Sequence, residues 1–298
     1  PGRVRMSGAL TDALADLPVL LRDHLAVSLS AILLAVLLGL PLALAASRSR
    51  AVRVPVLGTV GLVQTIPALA LLALFYPLLL LFGRGTGLGI PALGFLPALM
   101  ALTLYALLPI VRNGVAALRG IDPAVLEAAD GIGMTRGQRL RIVELPLGAP
   151  VIIAGIRTAS VWTIGAATLS TTVGHPSMGD LIFSGLQTEN WTRVLVGCAG
   201  AAGLALVADF ILALIEHGLA RRSNGRVRAG LALLVAALAI AFMPWRGAEP
   251  ERPTIVIGAK NFSEQYILAS AIEQKLQAAG YRTERRDGLG STVAYTAL

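Results

Sequence analysis

Groups able to break bonds are sparse in this sequence. Its three histidines, His24, His175 and His217, stand far apart, and Cys198 is its one cysteine, so no spacing matches a metal set and no intrachain disulfide can form. Neither a phosphate-cradling G-x-x-x-x-G-K-S/T nor a G-x-S-x-G nucleophile turn occurs. Gly83, Gly85, Gly87 and Gly89 alternate between two apolar runs, which is not the strand-to-helix setting of a nucleotide site. The expectation is therefore no catalytic residue, no metal and no ATP hydrolysis by this chain. The segment Arg112–Pro146 reads RNGVAALRGIDPAVLEAADGIGMTRGQRLRIVELP, and its helix signals are dense. Asp122 ahead of Pro123 is an N-cap with proline at the first helical position. Glu127, Ala128 and Ala129 ride on that short helix, and Gly131 and Gly133 end it. Thr135 with Gln138 resembles a capping box opening a second helix that runs toward Leu145, and Pro146 marks the return to apolar sequence.

The elements that must hold this segment follow from composition. The chain of 298 residues is 55% hydrophobic and 14% charged, with mean hydropathy +0.74, which excludes a soluble globule of this size. About 20 apolar residues cross the hydrocarbon layer. Six stretches come close to that length: His24–Ala46, Val56–Phe82, Pro91–Val111, Ala149–Val173, Val194–His217 and Ala229–Trp245. Arg48, Arg50 and Arg53 follow the first, five arginines from Arg112 to Arg141 follow the third, and Arg221, Arg222, Arg226 and Arg228 follow the fifth. Those loops are expected in the cytoplasm, with both termini outside. The excess of 25 basic over 17 acidic residues is thus a topology signal and not a nucleic-acid patch. Pro41, Pro67, Pro77, Pro97 and Pro109 fall in or at the ends of spans and imply kinks. Gly58 with Gly61, and Gly197 with Gly200 and Gly203, are read as helix-packing positions.

After Trp245 the composition changes. Arg246–Pro253 is polar, Thr254–Lys260 reads as a strand, Glu264–Ala279 as a helix ended by Gly280, Tyr281–Arg286 as a second strand and Ser291–Leu298 as the start of another helix. Both lysines of the chain, Lys260 and Lys275, lie here. So short a strand and helix unit cannot bury an adequate core, and the pattern is expected to continue beyond Leu298. The organisation expected is an N-terminal segment 1–23, a transmembrane domain 24–218 carrying the loop 112–146, a sixth span with linker 219–253, and the truncated start of an α/β domain at 254–298.

Three further groups of residues stand out against these elements. Arg157 falls in the cytoplasmic half of the fourth span, where it needs a partner or water; Asp209 in the fifth span is a candidate partner, and snorkelling of Arg157 to the interface is the alternative. Gln64, Thr65 and Pro67 could line a polar path at a proline kink, or serve the kink alone. Asn261 and Gln265 follow the strand at 254–260, where open α/β sheets place ligand clefts, with Ser263 read as a helix N-cap.

The spacing Glu127-Ala128-Ala129, three residues, Gly133, nine residues, Val143, one residue, Leu145-Pro146 resembles the EAA loop of permeases in binding-protein-dependent ABC importers, with Val143 where isoleucine is usual. Gln64-Thr65-Ile66-Pro67, the run Tyr105–Ile110 with Arg112-Asn113, and Gly155-Ile156-Arg157-Thr158-Ala159 look like the glycine betaine, carnitine and choline branch. The run Gly258–Leu268 looks like the opening of that branch's binding protein. Gly174-His175-Pro176-Ser177-Met178-Gly179 departs from the Gly-Ala-Gly-Gly-Leu-Gly common there. The resemblance implies an all-α polytopic permease fold followed by a periplasmic-binding-protein-like start. It also implies a bacterial plasma-membrane location with the tail extracytoplasmic, and a coupling role for Glu127, Ala128, Ala129, Gly133, Leu145 and Pro146. Implied partners are two cytoplasmic ATPase subunits that carry the ATP and magnesium, a second permease copy, membrane lipid and an osmolyte such as glycine betaine, choline or carnitine. A permease for an amino acid or a betaine-like thiol is the nearest alternative, and a secondary transporter or a membrane-embedded enzyme a more distant one.

Overall fold

The computed structural model describes residues 2–87, 89–243, 254–260 and 262–289, with 2–9 and Thr254 described by backbone alone. The chain forms α1 (Gly2–Arg48), α2 (Arg50–Thr65), α3 (Ala68–Thr86), α4 (Phe95–Arg119), α5 (Pro123–Gly131), α6 (Arg136–Arg139), α7 (Leu145–Ala167), α8 (Met178–Gln187), α9 (Trp191–Ala220), α10 (Asn224–Phe242), β1 (Thr254–Lys260), α11 (Ser263–Ala278) and β2 (Arg282–Leu289). A π turn, Leu140–Glu144, joins α6 to α7, and a 3-10 turn, Thr168–Val173, follows α7. Among the described residues six helical stretches are long and apolar enough to cross a membrane. They lie within α1, α3, α4, α6 through the 3-10 turn, α9 and α10.

Three elements differ from the expected pattern. Residues 2–23 are not a separate segment but the first half of α1, whose 47 residues rise roughly 70 Å at 1.5 Å per residue. The second span is two helices. Pro67 has no N–H and forces the residue before it out of the α region; Ile66 accordingly has φ −77° and ψ 125°, its N–H turning back to Val63 O at 3.1 Å. Pro18, Pro41, Pro55, Pro77, Pro109 and Pro150, by contrast, sit inside continuous helix. Finally, the fourth span does not begin afresh at Ala149, because α6, the π turn and α7 follow one another without a loop, with Pro146 in the first turn of α7. The wider π turn comes just ahead of Pro146, which has no N–H for Ile142 O and would crowd it in an α turn.

Helix α4 is the most buried span and α10 the least. The alanines and glycine of α4 let neighbours close in. A Cβ on Gly114 would stand 2.6 Å from Ala43 Cβ of α1, one on Gly155 of α7 2.5 Å from Asn113 Cβ of α4, and one on Gly39 of α1 2.9 Å from Ile110 Cγ2. These contacts bring α1, α4 and α7 to small-residue packing distances. Leu71, Leu72 and Phe75 of α3 join Val27, Ala98 and Leu102 in the main core. Of the glycines read as packing sites, Gly197 and Gly200 abut Leu181, Ile182 and Met178 of α8, whereas Gly58, Gly61 and Gly203 face no atom within 4 Å.

At the end of α7 away from α6, the chain turns through Gly174 (φ +78°) into α8. Gly179 there approaches Thr168 O so closely that a Cβ would fall 1.8 Å from it. Ser177 caps α8, its Oγ accepting from Gly179 N–H at 3.0 Å while Asp180 Oδ2 accepts from Ser177 N–H at 2.9 Å. The tail unit packs on this same end. Strands β1 and β2 pair in parallel from Thr254↔Arg282 to Gly258↔Arg286, then shift register to Lys260↔Leu289. Helix α11 covers them, with Ala269 and Leu276 on Ile257 and Ala259. Ser263 is the first residue of α11, not its cap, and its Oγ donates to Gln187 O of α8 at 2.5 Å. Trp245, the linker 246–253, Asn261 and the expected helix Ser291–Leu298 lie outside the described residues.

Candidate functional site

The loop between α4 and α7 folds as its sequence requires. Asp122 Oδ1 accepts from Ala124 N–H at 2.9 Å, fixing the start of α5. Gly133 takes φ +80°, the left-handed conformation that costs glycine least. Its N–H and that of Met134 then satisfy Asp130 O and Ala129 O at 3.0 and 3.2 Å. Thr135 and Gln138 make a reciprocal capping box at 3.3 and 2.9 Å. On α5, Ala129 is buried, while Glu127 and Ala128 are exposed. Val125 and Ile132 are 39% and 75% exposed beside them. Helix α5 thus exposes two acids, Glu127 and Asp130, beside the small Ala128 and open apolar side chains, a mixture typical of contact surfaces.

Linked to α5 is a buried carboxylate. Glu144, the last residue of the π turn, is 1% exposed. Its Oε1 accepts from Arg139 Nε at 2.9 Å and its Oε2 from Arg48 Nη2 at 2.5 Å. Arg139 Nη1 in turn donates to Asp130 Oδ2 at 2.5 Å. The four charges connect α5, α6, the start of α7 and the last residue of α1. Leu145 and Pro146, next in sequence, are exposed.

Within the spans, Arg157 of α7 meets Asp209 of α9 in a two-pronged contact, Nε to Oδ1 at 2.5 Å and Nη2 to Oδ2 at 2.8 Å. Glu216 adds a third contact, accepting from Arg157 Nη1 at 3.2 Å. Gln64 reaches across to α4, its Nε2 donating to Tyr105 O at 3.4 Å. Thr65 Oγ1 turns back to Leu62 O at 2.7 Å, and Pro67 is exposed at the break between α2 and α3. Gln265 is partly buried in the first turn of α11.

Where the tail unit meets α8, charges gather from four elements. Asp180 of α8 faces Asp287 and Arg285 of β2 and Arg193 of α9. Arg193 Nη2 donates to Asp16 of α1 at 3.0 Å, and Arg285 Nε to Asp287 Oδ2 at 2.7 Å. Burial, reinforced by Asp287, pushes the Asp180 carboxyl up to about 7 against the pull of Ser177 N–H and the two arginines. Burial likewise raises Asp287 and takes the Tyr266 phenol up to about 12. It lowers His175, whose ring meets Phe95 edge-on at 5.5 Å. Nearby, His24 is fully buried and joins three helices. Its Nε2 lies 2.9 Å from Ile164 O and its Nδ1 accepts from Met178 N–H at 3.3 Å, which places the proton on Nε2.

Residues 32–221 match the family model described as "Binding-protein-dependent transport system inner membrane component". The chain belongs to that family. It is a multi-pass membrane permease. Residues 253–298 of this permease match a second model, "Substrate binding domain of ABC-type glycine betaine transport system". The choline transport system permease protein OpuBB of Bacillus subtilis is 39% identical over 69% of this permease and 89% of its own length. The osmoprotectant import permease protein OsmW of Salmonella typhimurium is 40% identical over 64% of this permease and 85% of its own length. In fold, the permease resembles the inward-facing MetNI methionine ABC transporter, with TM-score 0.58 and 21% identity over 67% of this chain and 94% of that one.

Several residues that the permease brings together are not apparent from spacing. Glu144 stands in an arginine-rich loop, where a carboxylate reads as solvated. Glu216 lies at a helix end, where charge is cheap. Asp180 had a signal, an acid three residues after Ser177, which is the capping-box pattern. His24 had none, since its partners are a carbonyl and an amide from distant helices.

Proposed function

We propose that this permease is the membrane-spanning subunit of an ATP-driven importer of quaternary-ammonium osmolytes such as glycine betaine, choline or carnitine. It works as a pair of copies on two cytoplasmic ATPase subunits. The α5–α6 loop is the knob these subunits grip, and the unit beginning at β1 is the start of a fused receptor on the outer face. The observation that carries this reading is the coincidence, in one chain, of a permease and the opening of a glycine betaine receptor. The arginine-rich loops and the position of the tail unit at the end of α7 away from α5 and α6 support its orientation. Closure of the ATPase pair on nucleotide favours one arrangement of the spans over another, and α5, rigid between its cap and its glycine turn, carries that bias inward.

No group in the chain transforms the solute under this reading; its work is positional. The test is uptake of labelled glycine betaine, choline, carnitine and an unrelated amino acid into proteoliposomes holding the complete transporter. ATP-dependent accumulation of the quaternary ammonium compounds, competed by one another and not by the amino acid, is the expected result. Accumulation driven by an ion gradient without ATP would contradict it.

A further inference from the structure

The buried carboxylate behind the coupling knob has a geometry that a merely solvated loop would not build. Glu144 is held from two sides by arginines that belong to different parts of the molecule: Arg139, which also grips Asp130 of α5, and Arg48, which ends the 47-residue helix α1. It occupies the last position of the π turn. One extra residue in that turn rotates everything after it by about 100° relative to everything before. The π turn is thus where α6 and α7 part company in phase, and Glu144 with its two arginines stands at that point. Gly148, one turn further on, is held against Ala117 of α4, where a Cβ would stand 3.3 Å from Ala117 Cβ, so α7 has little freedom to yield at that end. The charged contacts run unbroken from Asp130 of α5 through Arg139 to Glu144, just ahead of α7, and on to Arg48 at the end of α1.

We propose that Glu144 is the positioning residue through which displacement of the α5–α6 knob reaches α1 and α7, with Arg48 and Arg139 as its two arms. The inference rests on the coupling role proposed for α5. Glu144 need touch neither solute nor ATPase. Its charge is what matters, because two guanidinium groups converge on one carboxylate, and a neutral group of the same shape cannot balance them.

The test uses the complete transporter in proteoliposomes and reads ATP hydrolysis and osmolyte uptake on the same sample. Glu144→Gln should cut the uptake obtained per ATP hydrolysed by at least about tenfold, within the range of ordinary coupling energies, while ATP hydrolysis continues. Glu144→Asp, which keeps the charge, should recover part of the ratio. Arg48→Ala, at the partly exposed end of the network, should lower the ratio in the same way, and it serves as the test should Glu144→Gln fail to assemble. An unchanged ratio in Arg48→Ala, or in an assembled Glu144→Gln, would overturn the proposal, as would loss of hydrolysis and uptake in equal proportion. Glu127→Lys separates this from the underlying reading: if it alone abolishes uptake while Glu144→Gln and Arg48→Ala keep a normal ratio, the knob stands and the joint does not.

Discussion

Arg157 lies between two carboxylates about two helical turns apart on α9, so removing the guanidinium leaves Asp209 and Glu216 without that counter-charge. The side chains are 31%, 32% and 23% exposed within one copy, which places the cost between that of a surface pair and a buried one, about 2 kcal/mol. Arg157→Ala should therefore melt earlier than the parent in detergent, and the double variant Arg157→Ala/Asp209→Ala should regain part of the loss. Strictly additive losses in that double-mutant cycle would contradict the pairing. Arg157 and Asp209 are conspicuous in the sequence because charges inside apolar runs are costly. Glu216 and Glu144 are not conspicuous, because their burial depends on which helix arrives beside them.

Individual elements were legible where a local rule decides them. Asp122 with Pro123, and Thr135 with Gln138, set the ends of α5 and α6 by hydrogen bonds to their own backbone. The break at Ile66 and Pro67 was harder to read, since six other prolines sit within continuous helix. Close packing of α4 against α7 predicts that Gly155→Leu, whose first side-chain carbon would already stand 2.5 Å from Asn113 Cβ, will not yield folded protein by size-exclusion chromatography, while Gly203→Leu, which faces no atom within 4 Å, will. The α8 seat of the tail unit carries a pH dependence. The Asp180 carboxyl is raised in the folded protein to about 7 from its ordinary value near 3.8. Its contribution is therefore full below that ordinary value and is lost as pH rises through about 7. His175, lowered by burial, acts in the opposite sense, losing stability as pH falls below its ordinary range. Asp180→Asn isolates the first effect. Amide exchange in α8 and β2 should quicken between pH 5 and pH 8, an interval of about 3 units spanning that titration, beyond the intrinsic rise, in the parent and not in Asp180→Asn; equal profiles would contradict the assignment.

At the scale of the whole molecule, the six crossings were readable because hydrocarbon imposes length and apolarity on each, and the arginines between them give a direction. Less legible was the joining of pieces: residues 2–23 running into the first span, and α6 passing through a π turn into α7. Under the proposed coupling role that continuity makes the loop a lever, because a rigid helix passes on displacement that a flexible connection would absorb. Glu127→Lys and Gly133→Leu should each abolish uptake while leaving ligand affinity of the complete receptor at the parental value, as read by calorimetry. Gly133 fails by conformation, since its φ of +80° is closed to leucine at ordinary cost. Retained uptake in either variant would contradict the lever.

On the proposed reading α5 faces the cytosol and is held there by an ATPase. The most direct measurement replaces Glu127 by cysteine in a Cys198→Ala background and applies a short bifunctional cross-linker to inside-out and right-side-out vesicles from cells expressing the complete transporter. A cross-link to the ATPase subunit is expected in inside-out vesicles, with uptake lost in proportion to its yield. Labelling of that cysteine from the outer face by an impermeant reagent in sealed right-side-out vesicles would contradict it.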